Sequence, residues 1–156
     1  MKVKASVIIC TYNRSALLRG SVLSVLNQDF PSDQYEMIVV DNNSADDTEK
    51  VVKELALSSS VRIEYVFEKN QGLSHARNAG IRKAKGEIIV FTDDDIEAER
   101  SWLCELISAF DSPDVACAGG PIRPVWSGER PTWLTDEWVG YLTVGDFPSA
   151  RETGEF

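Results

Sequence analysis

The run Glu87-Ile88-Ile89-Val90-Phe91-Thr92-Asp93-Asp94-Asp95 decides the fold class: a short apolar stretch, opened by Gly86, that ends in three consecutive acids. Its length and its β-branched and aromatic content read as a strand buried on both faces, the kind found in parallel sheets. Such a strand delivers its acids to its carboxyl end, and in open α/β sheets ligands bind in the crevice beyond those ends. Three negative charges at one tip repel one another and call for a positive partner, for which a hard divalent cation with oxygen ligands is the economical choice. The alternative is a solvated acidic loop that caps the next helix, because Asp favours helix N-termini. In both readings the three acids are loop residues outside the core.

Working outward from this strand, the same alternation recurs. Residues 5–10 form an apolar strand followed by Thr11-Tyr12-Asn13-Arg14, and residues 35–40 form another followed by Asp41-Asn42-Asn43-Ser44. A third strand at 61–67, in which Arg62 and Glu64 alternate with apolar neighbours, has one more exposed face. Between the strands, helical apolar spacing covers 16–26 and a region after Thr48, and a third helix, 73–84, carries the small residues Ala76, Ala79 and Gly80. A fourth helix is expected at about 100–110 and a fifth strand at 115–118. Five strands alternating with four helices imply right-handed crossovers and an α/β, mostly parallel sheet with helices on both faces.

Past Gly119-Gly120 the pattern stops. Prolines at 121, 124, 131 and 148, with Trp126, Trp133 and Trp138, mark an irregular segment with at most a short helix near 135–142. The chain therefore reads as an α/β domain over 1–120 and a Pro/Trp-rich extension over 121–156.

The 156 residues are 43% hydrophobic with a net charge of −9, enough for one core and unsuited to binding nucleic acid or an anionic membrane surface. Cys10, Cys104 and Cys117 show neither disulfide nor zinc spacing and read as reduced thiols. No apolar run near the N-terminus is long enough for a membrane span. A cytoplasmic location is expected, at the inner face of the membrane if the chain is part of a longer protein.

Acids or hydrogen-bonding groups thus stand at three strand tips. Asp41 can accept a hydrogen bond from a nucleobase N–H or a ribose hydroxyl, and Tyr12 can stack on a base. Uracil or thymine is favoured on this reading. The Asx-type turn is the structural alternative for residues 41–44. Arg77 and Asn78, on the helix that opens at Gly72, can face a diphosphate, or Arg77 can be a solvated helix residue. His75 is the single histidine, so no histidine-based catalytic relay is assembled.

Residues 7–14, residues 38–44 with Asp47-Thr48, the run Asn70-Gln71-Gly72-Leu73-Ser74-His75-Ala76-Arg77-Asn78-Ala79-Gly80, and Phe91 to Asp95 stand in one order. Together they resemble glycosyltransferase family 2 over about residues 5–120. The resemblance implies the GT-A (nucleotide-diphospho-sugar transferase-like) fold and metal-dependent, inverting transfer from a nucleotide-diphospho-sugar, with Mg²⁺ or Mn²⁺ as cofactor and a UDP- or TDP-sugar as donor. It also implies a role in cell-envelope polysaccharide synthesis.

By the same resemblance Thr11, Tyr12, Arg14 and Asp41 hold the nucleobase and ribose, Asn13, Asn43, Gly72 and Asn78 complete the nucleotide-sugar site, and Arg77 lies near the nucleotide. Asp93, Asp94 and Asp95 form the DxD element: Asp93 on the ribose or sugar side and on the metal, Asp95 on the metal, Asp94 in either part. The family's catalytic base, a carboxylate from the acceptor-binding half, has no counterpart here. Asp136-Glu137 stands too early and in another context. The base is expected beyond Phe156, and the chain reads as the donor-binding part of a longer enzyme with an unknown acceptor. A module that binds sugar nucleotide without transfer is the alternative. A phosphoryl-transfer or receiver-like domain would need a nucleophilic Asp after the first or third strand and Lys after the fifth, where Thr11, Glu68 and Gly119 stand.

Overall fold

The computed structural model describes residues 2–126 and 128–139. Four parallel strands, β1 (Ala5–Thr11), β2 (Tyr35–Asp41), β3 (Arg62–Phe67) and β4 (Ile88–Thr92), form one sheet in the order β3-β2-β1-β4. From β1 the chain steps to β2 and β3 in one direction, so right-handed crossovers put α1 (Ser15–Leu26) and α2 (Thr48–Ser58) on one face. To reach β4 it must return past β2 and β1. The reversal places α3 (Leu73–Lys83) on the opposite face.

The apolar residues follow this layering. Val7, Ile9, Met37 and Val39 pack with Leu18, Val22 and Val25 of α1, Val51, Val52 and Leu55 of α2, and Leu103 of α4 (Trp102–Ser108). On the other face Ile8, Ile38 and Val40 meet Ala76 and Ala79. The small side chains of α3 are what allow this approach: a Cβ on Gly80 would stand 2.6 Å from Ile8 Cγ2. β2 is central and buried throughout, while β3 lies on an edge, which explains its charged alternation.

One buried carboxylate sets where β4 begins. Glu36 Oε1 accepts from the Ser6 hydroxyl (2.8 Å) and the Lys85 amide (2.7 Å), and Ser6 Oγ accepts from the Gly86 amide (2.8 Å). The Arg62 guanidinium reaches Glu36 Oε2 at 3.5 Å.

The fifth strand expected at 115–118 is not formed; these residues are irregular. Only Val115 among them is β-branched, and Ala116 and Cys117 are exposed, so the run has too little side chain to bury on a sheet. The sheet accordingly has four strands. The fourth helix is shorter than expected and passes into a 3₁₀ turn at Ala109–Asp111. By compactness the chain divides into Met1–Ile107 and Ser108–Phe156. In the second unit α5 (Asp136–Val139) falls within the helix expected near 135–142, and Trp133 and Trp138 are exposed. Residues 140–142 and Pro148 lie outside the described residues.

Candidate active site

Parallel register assembles the site. Thr11 of β1 pairs with Asp41 of β2, and Ile9 pairs with Thr92 of β4, so the same register carried two residues further sets Asp94 beside Thr11. The strand order reverses between β1 and β4, and such a switch point is where open α/β sheets bind ligands.

The three acids at the β4 tip are not equivalent. Asp94 is buried, 5% exposed, and accepts from the Thr11 hydroxyl at 2.7 Å and from Arg14 Nη1 at 3.0 Å. That corrects the expectation that all three lie outside the core: the pleat turns Asp94 inward between β1 and α1, and Asp93 and Asp95 remain exposed. Arg14 Nη1 also donates to Asp95 Oδ2 at 2.9 Å. The positive partner that the acid run requires is thus present in the chain itself. Hydrogen bonding to Asp94, reinforced by its charge and by Asp95, raises the Arg14 pKa above its ordinary value.

At the β2 tip Asp41 is 3% exposed. Its Oδ1 accepts from the Ser44 amide (2.8 Å), which forms the Asx-type turn of the structural alternative, and its Oδ2 accepts from the Tyr65 hydroxyl (2.8 Å). Burial, and then the hydrogen bond to Asp41, push the Tyr65 phenol well above the usual tyrosine range. The loops after β1 and β2 are stitched together: the Asn13 amide donates to Ser44 Oγ (2.9 Å), and the Ala45 amide donates to Asn13 Oδ1 (2.7 Å). Asn13 and Asn43 both adopt positive φ, at 54° and 70°, a region that asparagine tolerates better than other side chains. Asp46 spans two helix starts, accepting from the Ser15 amide and from the Thr48 amide and hydroxyl. Burial opposes its charge, but these bonds outweigh it and hold the carboxyl down at about 2.

Beside the tips lies an open cavity of about 300 Å³, lined by Cys10, Thr11, Tyr12, Asn42, Gln71, Gly72, Leu73 and Ala76. Its lining is largely apolar, and Tyr12 presents half of its surface to solvent. Gly72 opens α3 at φ 135°, a conformation that L side chains rarely adopt. Arg77 lies with its guanidinium carbon 5.6 Å from the Phe91 ring centroid, on the β4 side of α3. Asn78 and His75 are exposed on the same helix. Cys10 has its thiol pushed up to about 11, by burial first; Arg77 works against the shift while Asp93 and Asp94 add to it.

The structure therefore brings Thr11, Arg14, Asp94 and Asp95 into one hydrogen-bonded group, and Tyr12 and Gly72 onto one cavity. Tyr65 and Asn42 carry contacts that the motif reading did not assign. The only local hint at Asn42 is its place in a turn run, and Tyr65 reads as an ordinary strand residue.

Among the described residues no three His, Cys, Asp or Glu side chains form a ready-made metal cage. The donor chemistry still fits a divalent ion of a particular kind. Two exposed hard carboxylates, Asp93 and Asp95, stand at one tip, and Mg²⁺-like ions use one or two carboxylates and take their other ligands from substrate phosphates and water. No helix of the described residues is long and apolar enough to cross a membrane.

A family model described as "Glycosyl transferase family 2" matches residues 6–153. A GalNAc(5)-diNAcBac-PP-undecaprenol beta-1,3-glucosyltransferase of Campylobacter jejuni is 44% identical, over 98% of this chain and 50% of that protein. Among solved structures, the mannosyltransferase PcManGT from Pyrobaculum calidifontis, in complex with GDP-Man and Mn²⁺, superposes with a TM-score of 0.69 at 32% identity, over 74% of this chain and 34% of that one. Staphylococcus aureus TarS 1-349 in complex with UDP-GlcNAc gives a TM-score of 0.62 at 27% identity, over 70% and 31%. The fold is that of GT-A glycosyltransferases. The chain spans about half the length of the curated relative.

Proposed function

Because the chain belongs to glycosyltransferase family 2, we propose that it is the donor-binding part of an inverting glycosyltransferase that moves a sugar from a metal-bound nucleotide-diphospho-sugar to an acceptor hydroxyl. The observation that carries the reading is the convergence of Thr11, Arg14, Asp94 and Asp95 at the β1/β4 switch point, with buried Asp41 one strand away and a cavity under Tyr12.

In this reading Tyr12 stacks on the base and Asp41 accepts its N–H. Each Asp41 oxygen takes one hydrogen bond and keeps a further acceptor site, so the carboxylate can accept the single imide N–H of thymine or of uracil, the base of the UDP-GlcNAc held by the similar S. aureus TarS. A UDP- or TDP-sugar is therefore the proposed donor. Asn13 and Asn43 shape the loops around it, Gly72 admits the nucleoside backbone-close, and Asp93 faces the ribose or sugar. Arg77, with Asn78 behind it, and Arg14 supply fixed positive charge where the departing nucleoside diphosphate gains negative charge. Asp95, with Asp93, would hold Mg²⁺ or Mn²⁺, which when bound acts as a Lewis acid on the diphosphate.

The acceptor base is proposed to come from protein outside these 156 residues, since the C. jejuni relative is about twice as long. By similarity to the C. jejuni relative, the acceptor is a saccharide on a polyprenyl diphosphate, reached at the cytoplasmic face of a membrane. General-base help contributes about 10²–10⁴-fold and positioning of the second substrate roughly 7–11 kcal/mol. Residues 1–156 are thus expected to bind UDP- or TDP-sugar and to transfer nothing, whereas a chain of the relatives' length transfers. A radiolabelled donor panel tests this. Transfer by the 156 residues would place the base within them, and binding without transfer by the longer chain would favour a sugar-nucleotide-binding module.

A further inference from the structure

We propose that Asn42 is a positioning residue that latches the loop 68–72 against the β2 tip and thereby sets the far wall of the nucleoside cavity. The inference rests on the donor-site reading above and adds to it a residue that no motif assigns. Asn42 is 7% exposed, whereas residues 69–72 are exposed. Its side chain makes three hydrogen bonds to that loop, using both donors and one acceptor site: Nδ2 donates to the Glu68 carbonyl at 3.1 Å and to the Asn70 carbonyl at 2.7 Å, and Oδ1 accepts from the Gly72 amide at 2.7 Å. Its own amide donates to the Thr11 carbonyl at 2.9 Å, so the latch is referenced to β1.

The bonded loop carries Gln71 and Gly72, which line the cavity opposite Thr11 and Tyr12, and it starts α3. Nearby, the Glu68 amide donates to the Asp41 carbonyl at 2.9 Å, and the Asn70 amide donates to Glu68 Oε1 at 2.8 Å. These bonds fix the base of the loop. Among the described residues, the Asn42 side-chain amide is the group that bridges its start, middle and end. A wall held this way is preformed, so the ligand does not have to bear the entropy of ordering it. The acids of the β4 tip share none of these bonds, and ligands held only by phosphate should not sense them.

The test compares Asn42→Ala and Asn42→Asp with wild type by calorimetric titration of UDP and of pyrophosphate, each with Mn²⁺, and by amide hydrogen exchange. Asn42→Ala should weaken UDP about tenfold, equivalent to about 1.4 kcal/mol, and change pyrophosphate by less than about twofold. Exchange of the Gly72 amide should accelerate. Asn42→Asp keeps the side-chain volume and the acceptor for Gly72 but loses both donors and sets a carboxylate oxygen against the Glu68 and Asn70 carbonyls, so it should weaken UDP at least tenfold as well; UDP affinity retained in Asn42→Asp overturns the latch, and this arm carries the test if the alanine variant fails to fold. Unchanged UDP affinity, or equal loss for both ligands, overturns the latch and leaves the donor site standing. Failure of wild type to bind any nucleoside diphosphate overturns the donor-site reading and the latch with it.

Discussion

Replacing Asp94 by Asn removes the charge that Arg14 and Thr11 both address. A hydrogen bond to a charged group contributes about 1.5–3 kcal/mol when its partners are shielded. Here the Asp94 side chain is 7% exposed and that of Arg14 50%, so solvent screening reduces the pair to about 1–2 kcal/mol. The Arg14–Asp95 pair, 50% and 44% exposed, falls below about 1 kcal/mol by the same reasoning. The assay is a double-mutant cycle of Arg14→Ala and Asp94→Asn in urea, without nucleotide or metal. The coupling energy should be about 1–2 kcal/mol, and Asp94→Asn alone should lower Tm by about 3–8 °C. The parallel cycle through Asp95→Asn should show much weaker coupling that fades with added salt. Additivity of Arg14 and Asp94 to within about 0.3 kcal/mol would refute the contact as a stabilising link between the β1 and β4 tips.

If Asp41 serves the base as proposed, Asp41→Ala should weaken UDP at least tenfold and pyrophosphate hardly at all by calorimetry; equal losses would make it a structural or phosphate-positioning residue. Asp46→Asn tests the helix-start bridge. The Asp46 carboxyl ionises more readily folded than unfolded, so its stabilisation is fully present above about pH 4 and is lost as pH falls toward about 2. Allowing for its exposure, the variant should be about 1 kcal/mol less stable at pH 7, with the difference closing near pH 2 in denaturant titrations. Cys10, half-buried with its thiol pushed up to about 11, should alkylate far more slowly at pH 8 than exposed Cys104 and Cys117, as read by mass spectrometry.

What was legible in the sequence was whatever a local signal carries. Apolar runs ending in polar tips announced β1, β2 and β4, and the motif order pointed to the site because parallel strands bring their carboxyl ends together without further instruction. The expected fifth strand failed for want of side chains to bury, a tertiary matter that four apolar residues in a row do not reveal. Asp93, Asp94 and Asp95 look alike in sequence, and only the strand pleat and the register with Thr11 separate the buried one from its neighbours. Arg14 as their counter-ion, Tyr65 on Asp41 and Asn42 on the loop 68–72 are contacts between residues 24 to 81 positions apart. No local pattern encodes such pairs.

The central claim, a metal-assisted nucleoside diphosphate site at the β1/β4 switch point, is tested most directly by calorimetric titration of wild type and Asp95→Asn with UDP, in Mn²⁺ and in EDTA. Tight binding by wild type in Mn²⁺, weakened at least tenfold by EDTA or by Asp95→Asn, is the result predicted. Binding that is equal in Mn²⁺ and EDTA, or absent in both, would contradict it.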